Sequence, residues 1–207
     1  MGLSAVAVTG RARVSALFCA AFCAALLAVP AARAGGGTYV FDGGTPADHA
    51  QVRAALDASS FDWSLVRTTV AIHIGSFPYP HATPGDIWLD ARLVRAGVFS
   101  WALIQDEYAH QIDFFLLDDM QRTFLNSVLG GRVWCHADLP GLPHADYGCE
   151  RFTSTFVWAY WPTRDNVYRP LTAADESAAL PAHEFRALLD SLLAPPRPRL
   201  VRSLDEV

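Results

Sequence analysis

The sequence predicts a single α+β domain, and three observations carry that prediction. Short runs with two-residue alternation stand toward the N-terminal side. Long apolar helical stretches follow them, and no repeat, low-complexity tract or linker separates the two. Of the 207 residues 52% are hydrophobic and 18% charged, which excludes a disordered chain, because such chains lack the apolar surface to form a core. The formal net charge is −5, and all 16 basic side chains are Arg. A nucleic-acid partner is therefore not expected, since no basic excess exists to neutralise phosphates.

Residues 1–34 carry Arg11 and Arg13, an apolar run from Val14 to Val29, then Pro30 and Ala32-Arg33-Ala34, with no acidic residue. A positive segment, a short apolar segment and a small-residue site make a secretory signal peptide, with cleavage expected before Gly35. The apolar run is shorter than the roughly 20 residues that span a bilayer, so no stable membrane span is expected after cleavage. A secreted or cell-envelope location follows. Loss of three Arg and no acid would move the net charge from −5 to −8 and leave 173 residues with two cysteines, Cys135 and Cys149. An isolated pair in an exported chain reads as one disulfide, worth roughly 3 kcal/mol for a loop of this length. The pair lacks the C-x-x-C spacing of a thiolate metal unit.

The domain is expected over 35–194, with a flexible tail at 195–207. Thr38 to Phe41 reads as a strand ending at Gly43-Gly44. Thr45-Pro46-Ala47-Asp48 opens a helix, with a capping Thr, a Pro in the first turn and an acid at the third position; Val52, Ala55 and Leu56 form its buried stripe. Val70 to Ile74 alternates as a half-buried strand, Phe77 to Gly85 reads as a loop, and Asp86 to Asp90 reads as another strand. Val98 to Leu117 is apolar on nearly every face, which predicts a helix buried within the domain. Asp113, Asp118 and Asp119 are then acids near its C-terminal end. A loop from Gly130 to Gly148 leads to a second apolar helix, Glu150 to Trp161, stopped by Pro162. Phe156, Trp158, Tyr160 and Trp161 on it read as core. Phe185, Leu188, Leu189 and Leu192 mark a last helix near Pro181 to Leu193.

The anomaly is Gln105-Asp106-Glu107-Tyr108-Ala109-His110 inside the buried helix. An ionised carboxylate without a partner is costly to bury. Asp106 and His110 stand one turn apart on one face, and Glu150 opens the second apolar helix. Two carboxylates and one imidazole converging between helices suit a divalent cation, with Glu107 beside them as a general base. Three bland readings stand alongside. An Asp–His pair on a solvated face needs no metal, a first-turn Glu is favoured by the helix dipole alone, and the three groups could form a buried hydrogen-bonded network.

Asp106-Glu107-Tyr108-Ala109-His110 resembles the H-E-x-x-H helix of zincin metallopeptidases, with Asp in place of the first His. The strand before it, and Glu150-Arg151-Phe152-Thr153-Ser154 on a downstream helix, resemble the gluzincin branch over about residues 66–165. The resemblance implies a zincin-like domain in which a small sheet packs on a buried active-site helix and a second, glutamate-bearing helix. It implies Asp106, His110 and Glu150 as ligands of one divalent metal, Zn first and Mn or Ca next, with Glu107 as catalytic base. Peptides or proteins would be the substrates. Asp is shorter than His, and one imidazole with two carboxylates leaves zinc neutral, which weakens its activation of water and shifts preference toward harder cations. His136, His144 and Tyr147, in the loop before Glu150, are candidates to stabilise an oxyanion or complete the ligand shell. His73 is a candidate to face the cleft from its strand. Two rival functions follow from the same residues: a non-catalytic descendant binding a peptide or cell-wall component, and a purely structural secreted domain.

Overall fold

The structure, a computed structural model, describes residues 36–195. The signal-peptide reading and nearly all of the tail lie outside the described residues. Among those described, no helix is long and apolar enough to cross a membrane.

The expected strands form in one four-stranded sheet. β1 (Tyr39–Gly43), β2 (Val70–Gly75) and β4 (Asp86–Asp90) run parallel, and β3 (His81–Thr83) pairs antiparallel at the edge, in the order β1-β2-β4-β3. Alternation sets the faces: Val70, Ile72 and Ile74 of β2, with Ile87 and Leu89 of β4, point into the core. The parallel β1–β2 pair requires a crossover, supplied by α1 (Pro46–Ala58). Thr45 Oγ1 accepts from the Asp48 amide at 3.2 Å, and Asp48 Oδ2 accepts from the Thr45 amide at 2.9 Å, a complete capping box. Asp48 also accepts two bonds from Arg95 at 3.0 Å, tying α1 to the turn after the single-turn helix α2 (Ala91–Val94).

α3 (Trp101–Leu116) is the buried helix the sequence predicts. Ile104, Tyr108 and Ile112 point into the core, where Tyr108 meets Trp63 edge-on with ring centroids 5.0 Å apart. Two of its buried polar residues are fasteners. Gln105 donates to the Ala55 carbonyl at 2.7 Å, and Gln111 accepts from the Gly85 amide at 2.8 Å and donates to the Thr83 carbonyl at 3.0 Å. These bonds fix α3 against α1 and against the β3–β4 turn. α5 (Gly148–Tyr160) packs beside α3, and α6 (Ala182–Leu193) closes the far side through Phe185 and Leu189. The mixed α/β architecture with a small sheet agrees with the α+β expectation.

Two elements differ from the sequence reading. β3 lies within what reads as a loop, because three residues between Pro80 and Pro84 are too few for a period to show. α4 (Asp119–Leu129) follows α3 after two extended residues, Leu117 and Asp118. Asp118 is its N-cap, accepting from the Gln121 amide at 2.8 Å, so Asp118 and Asp119 stand where the helix dipole favours them. Asp113 is buried, and its Oδ1 accepts from Arg122 at 2.8 Å and Trp134 at 3.1 Å. Asp118 and Asp119 are thus not trailing acids of α3, whereas Asp113 does stand in its last turn but is buried and paired instead of solvated.

The expected disulfide joins Cys135 to Cys149, with Cα atoms 5.4 Å apart. It ties the long loop to the first turn of α5, which has no side-chain cap. The Val133 and Trp134 carbonyls accept instead from the Gly148 and Cys149 amides at 2.8 and 2.7 Å. The two segments approach so closely that a Cβ on Gly131 would lie 2.6 Å from Gly148 Cα. Gly131→Ala is therefore expected to cost about 1–3 kcal/mol in urea unfolding, whereas Gly85→Ala meets no neighbouring atom and is penalised only by its positive φ of 90°.

Candidate metal centre

α3 and α5 bring their ionisable residues together. Asp106 and His110 lie one turn apart on α3, and Glu150 stands in the first turn of α5. One ligand atom from each of Asp106, His110 and Glu150 falls within 4.8 Å of the other two. His110 Nε2 is 3.4 Å from Glu150 Oε2, close to the roughly 3.3 Å edge of a tetrahedron with metal–ligand bonds near 2.0 Å. Asp106, Glu107 and His110 are only 5%, 8% and 8% exposed. Asp106 Oδ1 is buried with no hydrogen-bond partner among the described residues, and such an atom is normally satisfied. The donor set and the orphaned oxygen both suit a divalent cation. A second grouping, Cys135, Cys149 and Glu150, is equally close, but its sulfurs are consumed by the disulfide.

Electrostatics confirm how costly this cluster is without a cation. Burial, aided by Glu150, pushes Asp106 up to about 6 against the pull of His110 and Thr153. Burial and the neighbouring Asp106 push Glu107 up to about 8. Burial alone would lower His110, but Glu150 and the two α3 carboxylates outweigh it and raise the imidazole to about 9. Burial would raise Glu150, yet His110 and His144 hold it well below the usual carboxylate range. Of the three carboxylates Glu107 is thereby the one held protonated at neutral pH, while Glu150 stays ionised.

These groups form the floor of a cleft of about 730 Å³, with Tyr79, Leu103, Phe114, His136, His144 and Tyr168 among its walls. The Phe114 ring lies nearly parallel to that of His110, at 6.1 Å. Of the loop residues singled out from sequence, His136 and His144 reach the cleft. Tyr147 does not line it: its hydroxyl donates to the Leu139 carbonyl at 3.0 Å and accepts from the Leu142 amide at 2.9 Å, holding the loop. His73 is also absent from the cleft lining. Its nitrogens contact Asp42 and Asp86, both at 2.8 Å, and its ring stacks on Trp88. The outward face of β2 turns it toward neighbouring strands.

Sequence reasoning missed Tyr168 and Glu176. Burial and the Asp106 and Glu107 carboxylates raise the Tyr168 phenol well above its ordinary value, so it stays protonated. Glu176 sits against His144, whose Nδ1 is 2.9 Å from its Oε2, while His144 Nε2 is 3.1 Å from Glu150 Oε2. Tyr168 lies in an irregular segment and Glu176 opens a single 3₁₀ turn, Glu176–Ala178, where no period marks an inward side chain.

Comparisons with protein-family models, curated proteins and solved structures find no match. The chemistry is therefore argued from these side chains.

The shifts carry a pH signature. Asp106, Glu107 and His110 bind protons more tightly when folded, so the stability they confer is complete below their unfolded pKa values. It is lost as pH rises through about 6, 8 and 9 in turn. Glu150 acts oppositely, its contribution being lost only on strong acidification. With metal removed by chelation, the calorimetric midpoint should fall progressively from about pH 4 to about pH 9, and more shallowly in Glu107→Gln. A flat profile in both proteins would contradict these shifts.

Proposed function

We propose that the chain is an exported, zincin-like metallopeptidase holding one divalent cation, Zn first, through Asp106, His110 and Glu150. The supporting observation is the convergence of those three donors, with the orphaned Asp106 Oδ1, on the floor of a cleft that also contains Glu107. When bound, the cation would polarise a peptide carbonyl and ease deprotonation of water.

The chain's own residues do the rest. Glu107 follows the first ligand directly and is buried in the same cleft, so it can take a proton from an attacking water and return it to the leaving amine. Its metal-free pKa of about 8 is too high for a base at neutral pH. A nearby cation favours the ionised form and brings that value down toward the working range. Tyr168 keeps its phenolic proton and lines the same cleft, so it can donate to the carbonyl oxygen as charge develops there. Tyr79, Leu103 and Phe114 supply apolar wall for a substrate side chain.

A second reading has a specific feature in its favour. Asp106 makes the ligand set two carboxylates and one imidazole, which leaves a dication neutral and water activation weaker. On that reading the chain is a metal-stabilised binding domain for a peptide or cell-wall component.

Elemental analysis of residues 35–207, disulfide intact, tests the metal first. About one equivalent is expected in wild type, with loss in His110→Ala and Glu150→Ala. Glu107→Gln should keep its metal and lose peptide hydrolysis by about 10²–10⁴-fold, and Asp106→His should raise hydrolysis. An Asp106→His protein that loads zinc and cleaves nothing would favour the binding domain instead.

A further inference from the structure

Glu150 is held from outside the ligand cluster by a closed circuit of side chains. His144 sits in the single 3₁₀ turn His144–Asp146 just before α5, and its backbone carbonyl accepts from the Tyr147 amide at 3.1 Å. Its Nε2 is 3.1 Å from Glu150 Oε2, and its Nδ1 is 3.0 and 2.9 Å from the two oxygens of Glu176. With a carboxylate at each nitrogen, the ring donates from both and carries a positive charge.

Glu176 is itself anchored. Its Oε2 accepts from Ser154 Oγ at 3.2 Å, and its backbone carbonyl accepts from Thr155 Oγ1 at 3.3 Å. Ser154 and Thr155 are fully buried on α5, and Ser154 is one turn beyond Glu150. The path from Glu150 through His144 and Glu176 thus returns to the helix it left. A circuit closed on one rigid helix has little freedom, so it fixes one rotamer of Glu150. His144 approaches the oxygen that also faces His110 Nε2. A carboxylate oxygen has lone pairs for two such partners.

We propose that His144, clamped by Glu176, is the positioning residue of the metal centre, fixing Glu150 Oε2 toward His110, and that Glu176 acts only through His144. The inference rests on the metal reading above. In ordinary metal sites an imidazole ligand is oriented by a carboxylate. Here the roles are exchanged, and the ligand is the carboxylate.

The test measures Zn²⁺ affinity by chelator competition, and the visible spectrum of the Co²⁺-loaded protein, in wild type, His144→Gln, Glu176→Gln and the double variant. Each single substitution is expected to weaken Zn²⁺ binding about 10–100-fold, and the double variant to be no weaker than His144→Gln alone. Co²⁺ band positions should match wild type in every protein, because the ligands themselves are unchanged. Affinities within twofold of wild type, or single effects that multiply in the double variant, would overturn the proposal. A shifted Co²⁺ spectrum in His144→Gln would overturn it too, by making His144 a ligand. Should His144→Gln fail to fold, Glu176→Gln and Ser154→Ala carry the same test from the far end of the circuit. Wild type that takes up neither metal would instead sink the metal reading itself.

Discussion

Three carboxylates and an imidazole are buried together between α3 and α5, and the surrounding structure is organised around that constraint. Asp106, His110 and Glu150 place donor atoms within 4.8 Å of one another, and Glu107 lies beside them in the same cleft. Ionised carboxylates this close repel, and burial removes the water that would screen them. The repulsion can be relieved by retained protons, by the adjoining His110 and His144 imidazoles, or by a bound cation. Glu107, raised to about 8, shows the first at work. Asp106 Oδ1 has no hydrogen-bond partner among the described residues, and a cation held there would satisfy that oxygen and relieve the repulsion together.

Holding such a cluster requires rigid supports, and these come from features remote from the charges. Gln105 and Gln111 fasten the flanks of α3 to α1 and the sheet edge, which sets the direction in which Asp106 and His110 point. The first turn of α5 depends on the Cys135–Cys149 bridge, two loop carbonyls and the close passage of Gly131 beside Gly148. Glu150 belongs to that turn, so the N-terminal dipole favours its ionised form. The long loop is thereby part of the site, even though Tyr147 only braces it.

How much of this was legible in the sequence follows from which residues obey a period. α1, β2, α3, α5 and α6 are regular, and their buried faces could be read from spacing. α4 is hidden because only two extended residues, Leu117 and Asp118, separate it from α3, so the two helices present nearly one profile and Asp118 reads as a trailing acid. β3 is too short to alternate. Asp106, His110 and Glu150 stood out as polar residues in apolar helices, and the structure brings them together. Tyr168 sits in an irregular segment and Glu176 in a three-residue 3₁₀ turn, and nothing in the local pattern says which way either side chain points. His73 misled for a related reason: alternation identified its face of the sheet, but not that Asp42 and Asp86 would occupy both its nitrogens.

Aspartate at position 106 bears on function through geometry as well as charge. Its side chain is shorter than imidazole, so it reaches less far from the axis of α3 than a His at that position would. His110 and Glu150 stand 3.4 Å apart, close to a ligand–ligand edge. Two carboxylates with one imidazole would leave a bound dication neutral, which would activate water less than a site with two imidazoles. Glu107 adjoins Asp106 in the same cleft, and keeping it there costs free energy through burial and repulsion. The proposed peptidase would give that cost a use, because the proton Glu107 holds is the one it would exchange with water and the leaving amine.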